Sequence, residues 1–197
     1  MTLPNFITLA RLIAVPFFVW LVIDERPATA FWVFLAAGLS DAADGYIARR
    51  YDLGSEIGAY LDPIADKALL VAAFVSLGVA GLIPSWLVIA AVARDLLIIG
   101  AVVFSWMLDQ PVAMRPLFVS KANTLMQITL VCVVLGQRAF GVSVDILEGL
   151  LVWATGALTL ASAGAYLITW LRHMSGDQTN VIPRADGNAK RSGGEEP

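Results

Sequence analysis

Six unbroken runs of mainly apolar residues cover the chain up to residue 174, at about 5–23, 28–50, 55–80, 84–107, 118–138 and 146–171. Each is close to the roughly 20 residues that a helix rising 1.5 Å per residue needs to cross a hydrocarbon core. The runs are too long for strands and do not alternate between apolar and polar positions. Helices also satisfy every backbone group within the segment, as lipid demands. The pattern predicts an all-α, polytopic membrane protein with six transmembrane helices in a bundle, a single domain over 1–174. From Ser175 to Pro197 the sequence turns to Gly, Asp, Asn and charge. That stretch has little to bury and is expected to be a disordered cytoplasmic tail.

Composition agrees with this picture. Of 197 residues, 58% are apolar and 15% charged, and mean hydropathy is +0.76, whereas a soluble domain carries about a quarter charged residues. The first run is expected to stay as a span rather than act as a cleaved leader. No basic stretch precedes it, Arg11 interrupts it, and no small-x-small site follows near Ile23 to Arg26. Cys132, alone among valines and leucines, reads as a small apolar filler. The net charge of −3, with no basic run, gives no reason to expect nucleic acid. Arg49 and Arg50 follow the second run, Arg115 and Lys121 flank the start of the fifth, and Arg172, Arg184, Lys190 and Arg191 follow the sixth. The connection around Gly81 to Pro84 carries no charge, and those holding Asp24, Glu25 and Arg26 or Arg138, Asp145 and Glu148 are not net basic. By the positive-inside rule both termini and the second connection face the cytoplasm, across the inner membrane if the cell is bacterial.

Ionisable residues inside spans are costly unless they line a polar cavity, so each raises a functional question. Asp41, Asp44 and Arg49 close the second run, Asp62, Asp66 and Lys67 open the third, and Arg94 and Asp95 lie within the fourth. Asp41 and Asp44 are three apart and Asp62 and Asp66 four apart, so each pair shares a helix face. Gly45 and Ala48 continue the first stripe and Gly58 the second, and small residues let helices or a ligand approach closely. A short turn near Tyr51 to Ser55 makes the two spans antiparallel neighbours, which brings the four carboxylates together near the cytoplasmic interface. Like charges that close need a counter-charge. Hard divalent cations with oxygen ligands, Mg²⁺ or Mn²⁺, provide it and also hold substrate phosphates, and two such ions would stabilise an in-line displacement at phosphorus. An aspartate near a span end can simply sit among headgroups. Four at helix-matched spacing, flanked by Gly, Ala and Arg, are better explained as a site. A cation transporter also gathers carboxylates, but transporters of that kind show repeats and broken helices, and neither is visible.

These residues match the motif D-x2-D-G-x2-A-R-x8-G-x3-D-x3-D at Asp41, Asp44, Gly45, Ala48, Arg49, Gly58, Asp62 and Asp66. The chain thereby resembles the CDP-alcohol phosphotransferase family, in which six spans carry the motif across the second and third. The resemblance implies that Asp41, Asp44 and Asp62 hold divalent metal, and that Asp66, also near the metals, is the general base. It implies that Gly45, Ala48 and Gly58 make room for the CDP moiety while Arg49 meets its pyrophosphate. It further implies direct attack of an alcohol on the lipid-linked phosphate, with CMP leaving, in a homodimer. Pro4, Asn5, Thr8 and Arg11 resemble the opening of the phosphatidylglycerol-phosphate synthase and cardiolipin synthase branches, which adds Asn5 and Thr8 to the CDP-binding set. As helix-start residues, Pro4 and its neighbours also have an ordinary reading.

For the acceptor, Asp62-Pro63-Ile-Ala-Asp66-Lys67 is shared by both branches. Arg94-Asp95 and the run Arg115-Pro-Leu-Phe-Val-Ser120-Lys121-Ala-Asn123-Thr124-x2-Gln127 resemble the CMP-forming cardiolipin synthases. Phosphate-acceptor enzymes carry a second lysine where Asn123 stands, and a further Arg-Glu where this chain has the apolar stretch Gly100 to Phe104. Glycerol 3-phosphate is dianionic and needs several cationic donors. The balance points to phosphatidylglycerol as acceptor of CDP-diacylglycerol, glycerol 3-phosphate being the alternative, with Arg94, Arg115, Lys121 and Asn123 in the acceptor site. Lys67 and Lys121 also read as snorkelling residues, and Arg94 as one side of an internal ion pair. Its partner in that reading is Asp95 or the aspartate cluster, and the reading is the less favoured one because adjacent residues of a helix do not face each other. His173 reads as an interfacial cap and Trp170 as part of an interfacial belt.

Overall fold

The computed structural model of the chain describes residues 3–51, 56–107 and 118–174, and within them the side chains of 10–40, 67–101, 103–105, 107 and 118–171. The described residues form six helices: α1 Leu3–Ile23, α2 Pro27–Tyr51, α3 Glu56–Val79, α4 Ser85–Met107, α5 Phe118–Phe140 and α6 Asp145–Met174. They coincide with the six apolar runs to within a few residues. Arg138, Asp145 and Glu148, expected in a connection, lie instead within the last turn of α5 and the first turn of α6, where their charges suit the helix dipoles. The tail from Ser175 lies outside the described residues.

Three turns at one end of the bundle share one backbone solution. After α3, the N–H of Leu82 donates to Leu77 O at 2.8 Å and that of Gly81 to Gly78 O at 3.0 Å, with Gly81 at φ +69°. After α1, Arg26 donates to Leu21 O and Glu25 to Val22 O, with Glu25 at φ +54°. After α5, Val142 donates to Gln137 O across Gly141. This 6→1 closure satisfies the last carbonyls of each helix and turns the chain back at once. Pro27, with φ preset for a first turn, then opens α2.

α1 packs on α3 and α2, α2 on α5, α5 on α6, and α4 on α6. Phe18, Leu21, Ala30, Phe34, Ala73, Phe74, Leu77, Leu87, Leu130, Val131, Val134 and Leu135 form the buried core near the end that holds the three turns. Leucine, isoleucine and tryptophan cover the outside: Ile13, Ile89, Leu96, Leu125, Ile146, Leu150, Trp153 and Leu160 are all exposed. An apolar surface this extensive belongs in lipid rather than water. By length and composition α4, α5 and α6 are able to cross a membrane, whereas the described apolar parts of the first three helices, Ala10–Ile23, Pro27–Ser40 and Lys67–Val79, are shorter.

α4 and α6 run in the same direction and touch at three levels. The Trp86 indole lies over Gly156, Arg94 bonds Ser162, and Trp170 Nε1 donates to Ser105 Oγ at 2.9 Å. α3 and α4 pack closely where Gly78 meets Val88: a methyl added at Gly78 would lie 2.6 Å from Val88 Cγ2. Gly78→Ala is therefore expected to cost about 1–3 kcal/mol by overpacking, read as a lower unfolding midpoint in detergent. An unchanged midpoint would mean that Val88 swings aside at no cost.

Candidate active site

The helical backbone places the motif as its spacing requires. α2 carries Asp41, Asp44, Gly45, Ala48 and Arg49 in its second half, α3 carries Gly58, Asp62 and Asp66 in its first half, and Asn5 and Thr8 open α1. With 1.5 Å of rise per residue, Asp41 lies about 21 Å from the start of α2 and Asp66 about 20 Å from the end of α3. Asp44 and Asp62 both lie about 25 Å from that same end. The two pairs thus sit at one level of the bundle. The side chains of these residues and of His173 lie outside the described residues, as does the whole of Arg115. As a donor set, four carboxylates on two helices at one height suit a hard divalent cation.

Next to that level the described side chains build a buried charged cluster. Asp95 Oδ1 accepts Lys67 Nζ at 2.7 Å and Arg94 Nη1 at 2.8 Å. Arg94 is 4% exposed. Its Nε donates to Ser162 Oγ at 3.2 Å and its Nη2 to the same oxygen at 2.9 Å, while Nη2 also donates to Ser120 Oγ. The Tyr166 ring centre lies 5.9 Å from the guanidinium carbon. Every nitrogen of Arg94 is therefore engaged within the bundle. Buried charges are tolerated when paired and hydrogen-bonded in this way.

Of the two readings of Arg94, the less favoured one, an internal ion pair with Asp95, is what forms, because spacing rules describe where Cβ atoms point and a long arginine reaches round the helix. Lys67 does not simply snorkel: its ammonium is held by Asp95, with the side chain 34% exposed.

Deeper along the same interface lies a ladder of polar side chains. Thr159 Oγ1 donates to Asn123 Oδ1 at 2.9 Å, and both residues are fully buried. Gln127 and Thr155 follow, also buried. Asn123 Nδ2, Gln127 Oε1 and Thr155 Oγ1 have no hydrogen-bond partner. A void of about 10 Å³ beside Asp95 and Gln127 has room for a single water. Lys121, by contrast, is exposed. The participation of Thr159, Ser162 and Tyr166 was not foreseen. The signal was present: Thr155, Thr159, Ser162 and Tyr166 recur at four, three and four residues along one face of an otherwise apolar helix.

Comparison with known proteins adds the following. The sequence profile of the family described as CDP-alcohol phosphatidyltransferase matches residues 1–161. The human CMP-forming cardiolipin synthase is 34% identical over 181 residues, 84% of this chain and 60% of that protein. A Schizosaccharomyces pombe cardiolipin synthase (CMP-forming)/mitochondrial hydrolase fusion protein is 32% identical over 183 residues, 85% of this chain and 31% of that protein. A chloroplastic CDP-diacylglycerol–glycerol-3-phosphate 3-phosphatidyltransferase of Oryza sativa subsp. japonica is 32% identical over 188 residues, 86% of this chain and 57% of that protein. The chain spans 31% to 60% of the length of these relatives.

Proposed function

The chain belongs to the CDP-alcohol phosphatidyltransferase family, and on that premise we propose that it transfers the phosphatidyl group of CDP-diacylglycerol to phosphatidylglycerol, giving cardiolipin and CMP. What supports the proposal is that α2 and α3 carry two motif aspartates each, at similar distances along the helix from one end of the bundle. Its setting is a membrane-embedded homodimer of six-span chains, with the aspartates and both termini on the cytoplasmic side.

In this mechanism Asp41, Asp44 and Asp62, with Asp66 near them, would hold Mg²⁺ or Mn²⁺. The metal supplies charge neutralisation at the pyrophosphate. Gly45, Ala48 and Gly58 leave room for the nucleotide, with Asn5 and Thr8 at its edge, and Arg49 offers its planar fork to a phosphate. Asp66 takes the proton from the acceptor hydroxyl. That oxygen bonds to the phosphatidyl phosphorus as the phosphorus–oxygen bond to CMP breaks, and CMP leaves with the electron pair. Lys121 and Arg115 meet the acceptor phosphate, while Arg94 and Asn123, both buried, shape the wall behind them.

The charge balance favours a phosphodiester acceptor. Arg94 is engaged with Asp95, Ser120 and Ser162, which leaves Arg115 and Lys121 as the cations assigned to the acceptor phosphate. A dianionic phosphate asks for several cationic donors. The rice relative keeps glycerol 3-phosphate as the second reading.

Purified protein in detergent with Mn²⁺ and labelled CDP-diacylglycerol, given each acceptor separately, tests the assignment. Cardiolipin and CMP are expected from phosphatidylglycerol, with no lipid product from glycerol 3-phosphate. Product from glycerol 3-phosphate alone would keep the chemistry and reverse the acceptor. No CMP from either, together with Mn²⁺ flux in liposomes, would replace the enzyme with a transporter.

A further inference from the structure

We propose that Asp95 is a positioning residue that fixes the α3 half of the aspartate motif, an inference that rests on the phosphatidyltransferase function proposed above. α3 packs chiefly against α1 and only lightly against α4 and α5. Its apolar contacts with that side lie toward the turn after α3, at Ala73, Phe74, Leu77 and Gly78, and leave the start of α3, which carries the motif, to be tied in another way. The Lys67–Asp95 pair provides that tie, at 2.7 Å. Lys67 directly follows Asp66, so holding its ammonium fixes the rotation of α3 about its own axis beside the motif.

The other end of the tie is rigid. The oxygen of Asp95 that holds Lys67 also holds Arg94 Nη1 at 2.8 Å, and Arg94 is locked to Ser162 on α6 and Ser120 on α5. Asp95 and Arg94 have side chains 9% and 3% exposed, so little water competes for these bonds. One carboxylate thus couples four helices at the level of the motif. The pair joins residue 67, twelve before the end of α3, to residue 95, ten after the start of α4. It also sets the register of that hairpin.

Two substitutions in the full-length chain test this, with Mn²⁺ affinity measured by electron paramagnetic resonance beside steady-state kinetics. Lys67→Met removes a cation near the carboxylates. A purely electrostatic role for Lys67 predicts tighter Mn²⁺ binding, whereas loss of positioning predicts weaker binding. We expect the affinity to fall about tenfold and kcat to fall by a similar factor, as for other groups that orient metal ligands. KM for CDP-diacylglycerol should stay within about twofold, since the groups assigned to the nucleotide are untouched. Asp95→Asn should behave alike, and Asp95→Glu, which keeps the charge, should recover most of both values.

A structural role alone would lower the number of Mn²⁺ sites in step with the folded fraction and leave the affinity of each site unchanged. That result, or tighter binding in Lys67→Met, overturns the proposal. If Asp95→Asn fails to fold, Lys67→Met still decides, because it leaves Asp95 paired with Arg94. A wild-type protein that binds Mn²⁺ yet releases no CMP would overturn the proposed function, and the Mn²⁺ affinities would still judge the role of Asp95.

Discussion

Asp66→Asn is expected to lower kcat by about 10²–10⁴-fold, the range that a positioned general base contributes. Asparagine has nearly the shape of aspartate but cannot accept the proton of the acceptor hydroxyl, so the attacking oxygen stays a poor nucleophile. The same change removes one carboxylate from the set assigned to metal, and Mn²⁺ should bind with lower affinity. The fold should persist, because a neutral amide is easier to keep in a membrane interior than a carboxylate. CMP release at saturating substrates, the unfolding midpoint and Mn²⁺ titration separate these effects. Normal turnover in a folded variant would remove Asp66 as the base.

Arg94→Met should be the most damaging single change to stability among the described side chains. Arg94 is 4% exposed and bonds three residues on three helices. Removing one member of a buried charged group costs about 3–5 kcal/mol, mainly because the partner is left uncompensated. Here Asp95 keeps Lys67 at 2.7 Å, which places the expected loss near the lower end, about 3 kcal/mol. Arg94→Lys should recover only part of it: a single ammonium can approach Asp95 but lacks the fork that reaches Ser120 and Ser162 together. Denaturant unfolding in mixed micelles would measure both. A methionine variant as stable as wild type would show that the cluster serves specificity rather than stability.

The helices were legible because their signal is long. Runs of about 20 mainly apolar residues leave no competing secondary structure, and the expected 28–50 and 84–107 emerged as Pro27–Tyr51 and Ser85–Met107. The place of the motif on two helices was legible for a related reason, since helical spacing converts directly into position along α2 and α3; which helices they pack on was not, for α2 lies on α1 and α5 and α3 chiefly on α1. The partners of Arg94 were not legible. Ser162 is 68 residues away, and nothing local to Arg94 says which helix will lie beside it. Lys67 hid behind a generic explanation, since any lysine near an interface can snorkel. Asp95 seemed to face away from Arg94 because a periodicity rule counts directions from Cβ and ignores the reach of a long side chain. For Asn123 the residue type was noticed, but its full burial against Thr159 depends on how α5 meets α6.

Because α4 and α6 run in the same direction, the bonds between them close loops of 65 and 68 residues. A ribosome releases α4 well before α6. Lys67 and Asp95 belong to one hairpin and can meet as soon as that hairpin exists, so the buried carboxylate has a partner from the outset. Ser120 reaches the guanidinium only with α5, and Ser162 and Tyr166 only with α6. α6, the last of the described helices, therefore supplies the final ligands of a charge carried by the fourth, and the nascent chain stays unfinished around Arg94 until α6 arrives.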